Sequence, residues 1–261
     1  MGGAKRLLST ATGAGVRTLT LDSPHNRNAL SADLVGRMYA ELERARADSD
    51  VRAVLLTHTG NTFCAGADLS EASAHDAPSD GPRELARLLR TLVAFPKPVV
   101  ARVTGHVRAG GTGLLAACDI SVAGPEATFA FTEARIGVAP AVVSMPVLPR
   151  TDPRAMARYY LTGERFGAQE AARIGLVTLA ADDPDEALAP VLDGLRRGSP
   201  QGLAESKRLV TREVLAAFDR DTGTLAELSA RLFASDEARE GMTAFLERRE
   251  PEWAVRQAPV R

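Results

Sequence analysis

The spacing of hydrophobic and polar positions changes character along the chain. Arg17–Leu21 (RTLTL) alternates with period two and predicts a half-buried strand. "SPHNRNALS" follows as a loop whose last residue, Ser31, is placed to cap a helix over 32–47. Leu34, Val35, Met38, Leu42 and Ala45 fall on one face of that helix. Arg52–His58 (RAVLLTH) reads as a buried strand, 60–66 as a turn, and the polar, Pro- and Gly-rich 72–81 as a mobile loop. Residues 82–95 have helical period. Strands are predicted at 98–104, 119–123 and 128–131. From residue 152 onward the periodic segments are helical: 153–161, 168–174, 184–197, 201–217, 222–234 and 236–248. Short strands separated by helices predict βαβ-type layering with a parallel component. The helical last third predicts a region of its own, 198–261, after a core of 1–197.

Composition narrows the class. The chain has 261 residues, enough to bury a core without disulfide or metal staples. A formal net charge of −1 supplies no global field to gather nucleic acid or anionic lipid. The two cysteines, Cys64 and Cys118, have apolar neighbours and read as small core residues in a reducing compartment. Four scattered histidines and two cysteines give no metal-ligand spacing. No stretch has the layout of a signal peptide or the ~18 apolar residues of a membrane span, so the expectation is a cytoplasmic protein.

The candidate chemistry lies in two turns, each after a predicted strand. One is "TFCAGADLS", 62–70. The other lies within "GHVRAGGTGLLAACDI", 105–120, where three glycines precede the helical run Leu114–Ala117. Glycine is unfavourable inside a helix but suits a helix start, where free N–H groups face outward and a ligand can approach the backbone. Two N–H donors converging from separate turns form an oxyanion hole for a carbonyl oxygen that gains charge. A helix beginning at Gly111 adds the positive end of its dipole. From spacing alone, tight turns that serve only packing explain the same glycines.

In "NRNALS" (26–31), "FCAGADL" (63–69), "GHVRAGGTGLLAACDI", "FAFTEARIGVAP" (129–140), "YYLTGERFGAQEAARIGLV" (159–177) and "EGMTAFLERREPEW" (240–253), the chain resembles the enoyl-CoA hydratase/isomerase, or crotonase, superfamily. The resemblance implies an α/β spiral of ββα units with a helical C-terminal region. It also implies a homotrimer or a homohexamer built as a dimer of trimers, an acyl-CoA thioester substrate, and no metal or redox cofactor. Carried over by position, the N–H groups of Ala67 and Gly110 bind the thioester oxygen. Ala65, Asp68, Leu69 and Ser70 line the pantetheine and adenine pocket, and Arg27 flanks the nucleotide. Phe245 and Arg248, on the last long helix, complete the CoA site. Solvated charge explains Arg27 and Arg248 as well, and core packing explains Phe245.

The chain departs from the familiar hydratases at their pair of glutamates. The first position, three residues after the oxyanion glycine, is Gly113; the second is Glu133, in "FTEARIG". Apolar neighbours of Glu133 predict partial burial and a raised pKa. One carboxyl can deliver water to the β-carbon of an enoyl thioester, as a hydratase, or carry a proton between two carbons, as an isomerase. Glycine then glutamate, with "IGVAPAVVS" after it, resembles the branch typified by methylglutaconyl-CoA and related hydratases; some relatives of this appearance are decarboxylases. Loss of one glutamate is also compatible with a non-catalytic acyl-CoA-binding relative. His106 reads as a hydrogen-bonded scaffold residue. Arg108 suits either a substrate carboxylate or a surface contact.

Overall fold

The computed structural model describes residues 7–68, 71 and 80–255. The chain opens with a hairpin: β1 (Leu8–Gly13) runs antiparallel to β2 (Val16–Leu21) across the turn Ala14–Gly15. Helix α1 (Ala32–Ala47) follows. Ser31 Oγ caps it by accepting the Leu34 N–H at 3.3 Å, and Leu34, Met38 and Leu42 are fully buried. Burying each such side chain contributes about 1.5–3 kcal/mol.

Three ββα turns come next. In the first, β3 (Ala53–His58) is followed by β4 (Thr62–Cys64) and α2 (Gly81–Ala94). In the second, β5 (Val99–Val103) leads to β6 (His106–Arg108) and α3 (Gly110–Ala116). In the third, β7 (Ile120–Ala123) leads to β8 (Thr128–Ala130), a 3₁₀ turn Glu133–Ile136 and α4 (Ala141–Val147). The first strand of every turn joins a six-stranded sheet and the second joins a four-stranded sheet. The chain therefore winds as a spiral between two sheets.

Within the large sheet β2, β3, β5 and β7 are parallel, with Leu19 opposite Leu56 and Leu56 opposite Ala101. Strand β5 (VVARV) is an almost unbroken apolar run, as expected of a strand in the middle of a parallel sheet. In α2, Leu88, Leu89, Leu92 and Val93 form the buried stripe.

The remainder comprises α5 (Pro153–Thr162), β9 (Phe166–Gly167), α6 (Ala168–Arg173), β10 (Leu179–Ala180) and α7 (Pro184–Arg197), then α8 (Pro200–Val210), α9 (Arg212–Phe233), α10 (Asp236–Glu247) and α11 (Glu252–Val255). Two short strands close the sheets: β10 adds parallel to β7, and β9 adds antiparallel to β8. Helix α9 lies against α2 and α4. Val214 and Phe218 on α9 belong to the same apolar cluster as Leu88 and Val103. Lys207 on α8 is buried, pairs with Asp119 at 2.8 Å, and donates to the carbonyl of Leu92 at 2.9 Å.

Several expectations change. The turn at 60–66 holds strand β4, and β1, β6, β9, β10 and α4 are additional elements. β1 (LSTATG) is polar and largely exposed, so no alternation marks it; the others are short, or broken by proline as α4 is by Pro146, so periodicity has too few residues to register them. The predicted helices 201–217 and 222–234 divide instead at Thr211, and α9 runs on without a break to Phe233. The glycine helix begins at Gly110, one residue before the predicted start. Of the 72–81 loop, residues 72–79 lie outside the described residues.

Candidate active site

Strands β4, β6 and β8 are neighbours and parallel, with Cys64 opposite Val107, Val107 opposite Phe129, and Arg108 opposite Ala130. Adjacent strands lie about 4.8 Å apart, so their C-terminal ends deliver three segments side by side. These are Ala65–Ala67, Ala109–Gly110 and Phe131–Glu133. Such an edge of a parallel sheet, where successive loops diverge, is where α/β folds form clefts.

The first N–H follows from a short bridge. Leu30 pairs with Ala67 in parallel: the Leu30 N–H donates to the Gly66 carbonyl at 2.7 Å, and the Asp68 N–H to the Leu30 carbonyl at 3.4 Å. Because extended backbone alternates, the Ala67 N–H points away from Leu30. The second N–H comes from the start of α3. Ala109 caps that helix at φ 46° and ψ −126°, a strained setting for a residue with a Cβ, costing of order 1–3 kcal/mol. Among the described residues, neither the Ala67 nor the Gly110 N–H donates to a carbonyl. The two turns abut. Gly66 has φ +96°, and a Cβ there would lie 2.9 Å from the Gly110 nitrogen; a Cβ on Gly110 would lie 3.6 Å from the Ala67 nitrogen.

Glu133 opens the 3₁₀ turn after β8 and is 7% exposed. Burial pushes its pKa up to about 7, opposed by the contact with its own N–H. Its Oε2 has no hydrogen-bond partner. Helix α10 clamps this turn: a Cβ on Gly241 would come 2.5 Å from the Ile136 carbonyl carbon, and one on Gly137 would come 2.6 Å from that of Glu237. The site's main carboxyl is thus held by the C-terminal helices as well as by its strand.

At Gly113 the space a side chain would use is filled. A Cβ there would meet Val143 Cγ1 at 2.8 Å and Leu89 Cδ1 at 3.0 Å. α4 packs on α3 through this contact, so a second carboxyl at 113 has no room without displacing Val143.

The loop 23–30 is anchored beside the first turn. The Ala65 N–H donates to the Arg27 carbonyl at 3.1 Å, and Asn26 Nδ2 to Asp68 Oδ2 at 3.1 Å. Buried Asn28 accepts from the Ser23 N–H and donates to the carbonyls of Thr59 and Thr62. Sequence reasoning gave Asn28 no role; the signal was "NRN" itself, since a left-handed asparagine can bond back to the backbone. Arg27 has φ 59° and an exposed side chain.

The fold therefore brings Arg27, Ala65, Ala67, Asp68, Gly110 and Glu133 to one edge. Leu69 and Ser70 lie outside the described residues. Phe245 (55% exposed) is on the solvent side of α10, and Arg248, expected on that helix, is instead the exposed left-handed cap that ends it at φ 56°; no hydrogen bond or ion pair of the described residues joins either to the two turns. Tyr160, whose buried hydroxyl has no partner, was not anticipated.

The other polar groups have structural work. His106 Nδ1 meets Thr128 Oγ1 at 2.9 Å. Arg108 donates to the carbonyls of Val107 and Thr128 and to Thr128 Oγ1, which ties β6 to β8 and leaves its guanidinium committed to the sheet. Burial, then the charge of Arg165, brings its pKa down to about 10. Cys64 and Cys118 are free and buried, and burial pushes both thiols up to about 12. Among the described residues no cluster of His, Cys, Asp and Glu is arranged to hold a metal ion, and no helix is long and apolar enough to cross a membrane.

Comparison with known proteins gives the family. A model of the enoyl-CoA hydratase/isomerase family matches residues 11–256. The 2,3-dehydroadipyl-CoA hydratase of Escherichia coli is 31% identical over 244 residues, covering 92% of this chain and 96% of that protein. An enoyl-CoA hydratase of Mycobacterium tuberculosis is 33% identical over 256 residues, covering 91% and 92%. A solved enoyl-CoA hydratase of Mycobacterium avium superposes with a TM-score of 0.90 at 56% identity, covering 96% of this chain and all of that one. With its spiral of ββα turns and the match along nearly its whole length, this chain belongs to the enoyl-CoA hydratase/isomerase family and has the crotonase fold.

Proposed function

We propose that the protein adds water across the double bond of a 2-enoyl-CoA thioester. The observation that carries this reading is the meeting, at one sheet edge, of two unpaired N–H turns and a buried carboxyl with a pKa of about 7. The thioester oxygen lies between the N–H groups of Ala67 and Gly110. As water adds to the β-carbon, negative charge moves to that oxygen, where two prepositioned donors stabilise it most. Glu133 takes a proton from the water and returns it to the α-carbon. A pKa near the working pH suits both transfers. Ala65, Asp68, Leu69 and Ser70 line the path of the pantetheine and adenine, Arg27 flanks the nucleotide, and Phe245 on α10 and Arg248 just past its end complete the CoA site. The functional unit is a homotrimer or homohexamer.

One observation favours a second reading, a double-bond isomerase. Val143 and Leu89 fill the space beside Gly113, leaving Glu133 to shuttle a proton between two carbons.

Absorbance of the conjugated enoyl group, followed with crotonyl-CoA and with a 3-enoyl-CoA, separates the two. Loss of signal from crotonyl-CoA supports hydration; gain from the 3-enoyl ester supports isomerisation. Glu133→Gln abolishes either while the fold persists. Turnover that survives this substitution overturns the mechanism. Tight CoA-ester binding without turnover of short, branched, aromatic or dicarboxylic enoyl thioesters marks a binding protein.

A further inference from the structure

Two buried side-chain oxygens have no partner in the protein, Oε2 of the proposed acid/base residue Glu133 and the Tyr160 hydroxyl. Tyr160 is on α5. Its ring packs on Phe131 with centroids 4.7 Å apart, and Phe131 precedes Glu133 by two residues. The end of α5 is fastened to the Glu133 turn, because Arg135 Nε donates to the Thr162 carbonyl at 3.0 Å. Burial, and then the charge of Glu133, pushes the phenol above its ordinary range. Buried polar atoms are nearly always paired. Two orphans on segments packed together in this way, one able to accept and one able to donate, fit a small oxygen ligand that bonds both.

We infer that Tyr160 is a positioning residue, its hydroxyl donating to the water oxygen, or to the product's β-hydroxyl oxygen, that Glu133 Oε2 holds by the proton. This rests on the hydratase reading above. In the forward step an O–H bond of the water breaks and its proton passes to Glu133. The oxygen forms the new bond to the β-carbon, and Glu133 gives the proton to the α-carbon. Tyr160 keeps its own proton throughout. The phenol thereby supplies the second contact to water for which Gly113 has no side chain.

Few other groups compete for this role. α10 meets the Glu133 turn through backbone at Glu237 and Gly241, and the Glu237 side chain is exposed. Arg135 turns outward onto Thr162, and on α5 Arg158 pairs with Glu164 at 2.6 Å. On α4, Ser144 Oγ donates to the Ala141 carbonyl.

Tyr160→Phe removes one oxygen and tests the assignment. With crotonyl-CoA, kcat falls ten- to a hundredfold while KM stays within twofold. Thermal stability is unchanged or slightly higher, because the hydroxyl has no protein partner to lose. In the substrate-free enzyme, ¹³C NMR of labelled glutamate carboxyls, assigned with Glu133→Gln, shows the Glu133 midpoint rising by half a pH unit or more once the donor is gone. Unchanged kcat together with an unchanged Glu133 midpoint overturns the proposal. So does a loss of stability in which kcat and KM worsen together with the midpoint fixed. If the wild-type enzyme does not turn over crotonyl-CoA, the hydratase reading is what fails; the carboxyl titration then decides by itself whether Tyr160 is coupled to Glu133.

Discussion

Glu133 shows how a single residue is tuned by its surroundings. A carboxyl with an ordinary pKa of 4.5 is held at about 7 by removal from water. Burial disfavours the charged form, so the folded state binds its proton more tightly than the unfolded chain does. Stability therefore falls as pH rises from about 4.5 to about 7, and the full penalty persists above that range. A shift of this size corresponds to about 3 kcal/mol at most. Glu133→Gln has no such penalty. Its thermal midpoint is expected to exceed that of the wild type at pH 8 and to approach it at pH 4. Thermal melts of both proteins across that range check this, and equal midpoints at pH 8 would refute burial as the cause. The identity of residue 133 and its apolar neighbours were legible in the sequence. Its unpaired Oε2 and the packing of Tyr160 on Phe131 were not, because a side chain on a helix 27 positions away carries no local signal of where it packs.

At the scale of elements, the site is made where strands stop. Strands β4, β6 and β8 have three residues each, and the functional atoms lie within three residues of their ends. Helices α3, α4 and α10 then hold those ends in place by close contact. Gly113 is the tightest test of this packing. Gly113→Ala drives a Cβ against Val143 Cγ1, and an overpacked contact of this kind costs about 1–3 kcal/mol. Val143→Ala alone leaves a small cavity, and the double variant recovers part of the loss. A double-mutant cycle by urea denaturation measures this, and strict additivity would show that the two side chains do not share the space. Long amphipathic elements such as α1 and α2 could be read from periodicity, since five or more apolar positions repeat. The three-residue strands could not, and β6 was hidden inside the glycine stretch that follows it.

Across the whole molecule, the C-terminal helices are built into the core. Val214 and Phe218 share the central apolar cluster, and Lys207 is buried against Asp119 and the Leu92 carbonyl. Removing one member of a buried ion pair strands the other. Lys207→Ala leaves Asp119 without its cation and costs about 3–5 kcal/mol. The loss should appear as one cooperative transition shifted to lower denaturant, followed by circular dichroism and Trp253 fluorescence together. Separate transitions would show that residues after 198 unfold independently.

The sequence alone settled the residue types and their order: which segments repeat with helical period and which turns are small enough to expose backbone N–H groups; its resemblance to a family added that Gly113 stands where a carboxyl is usual. Those properties are local, and neighbouring residues are enough to encode them. The tertiary structure decided what meets what. Register between β4, β6 and β8 aligns turns far apart in sequence, Val143 closes the space at Gly113, α10 grips the Glu133 turn, and the Tyr160 ring packs on Phe131, two residues before the carboxyl. Each is a contact between distant segments, and its geometry exists only once the apolar core has fixed the distances between them.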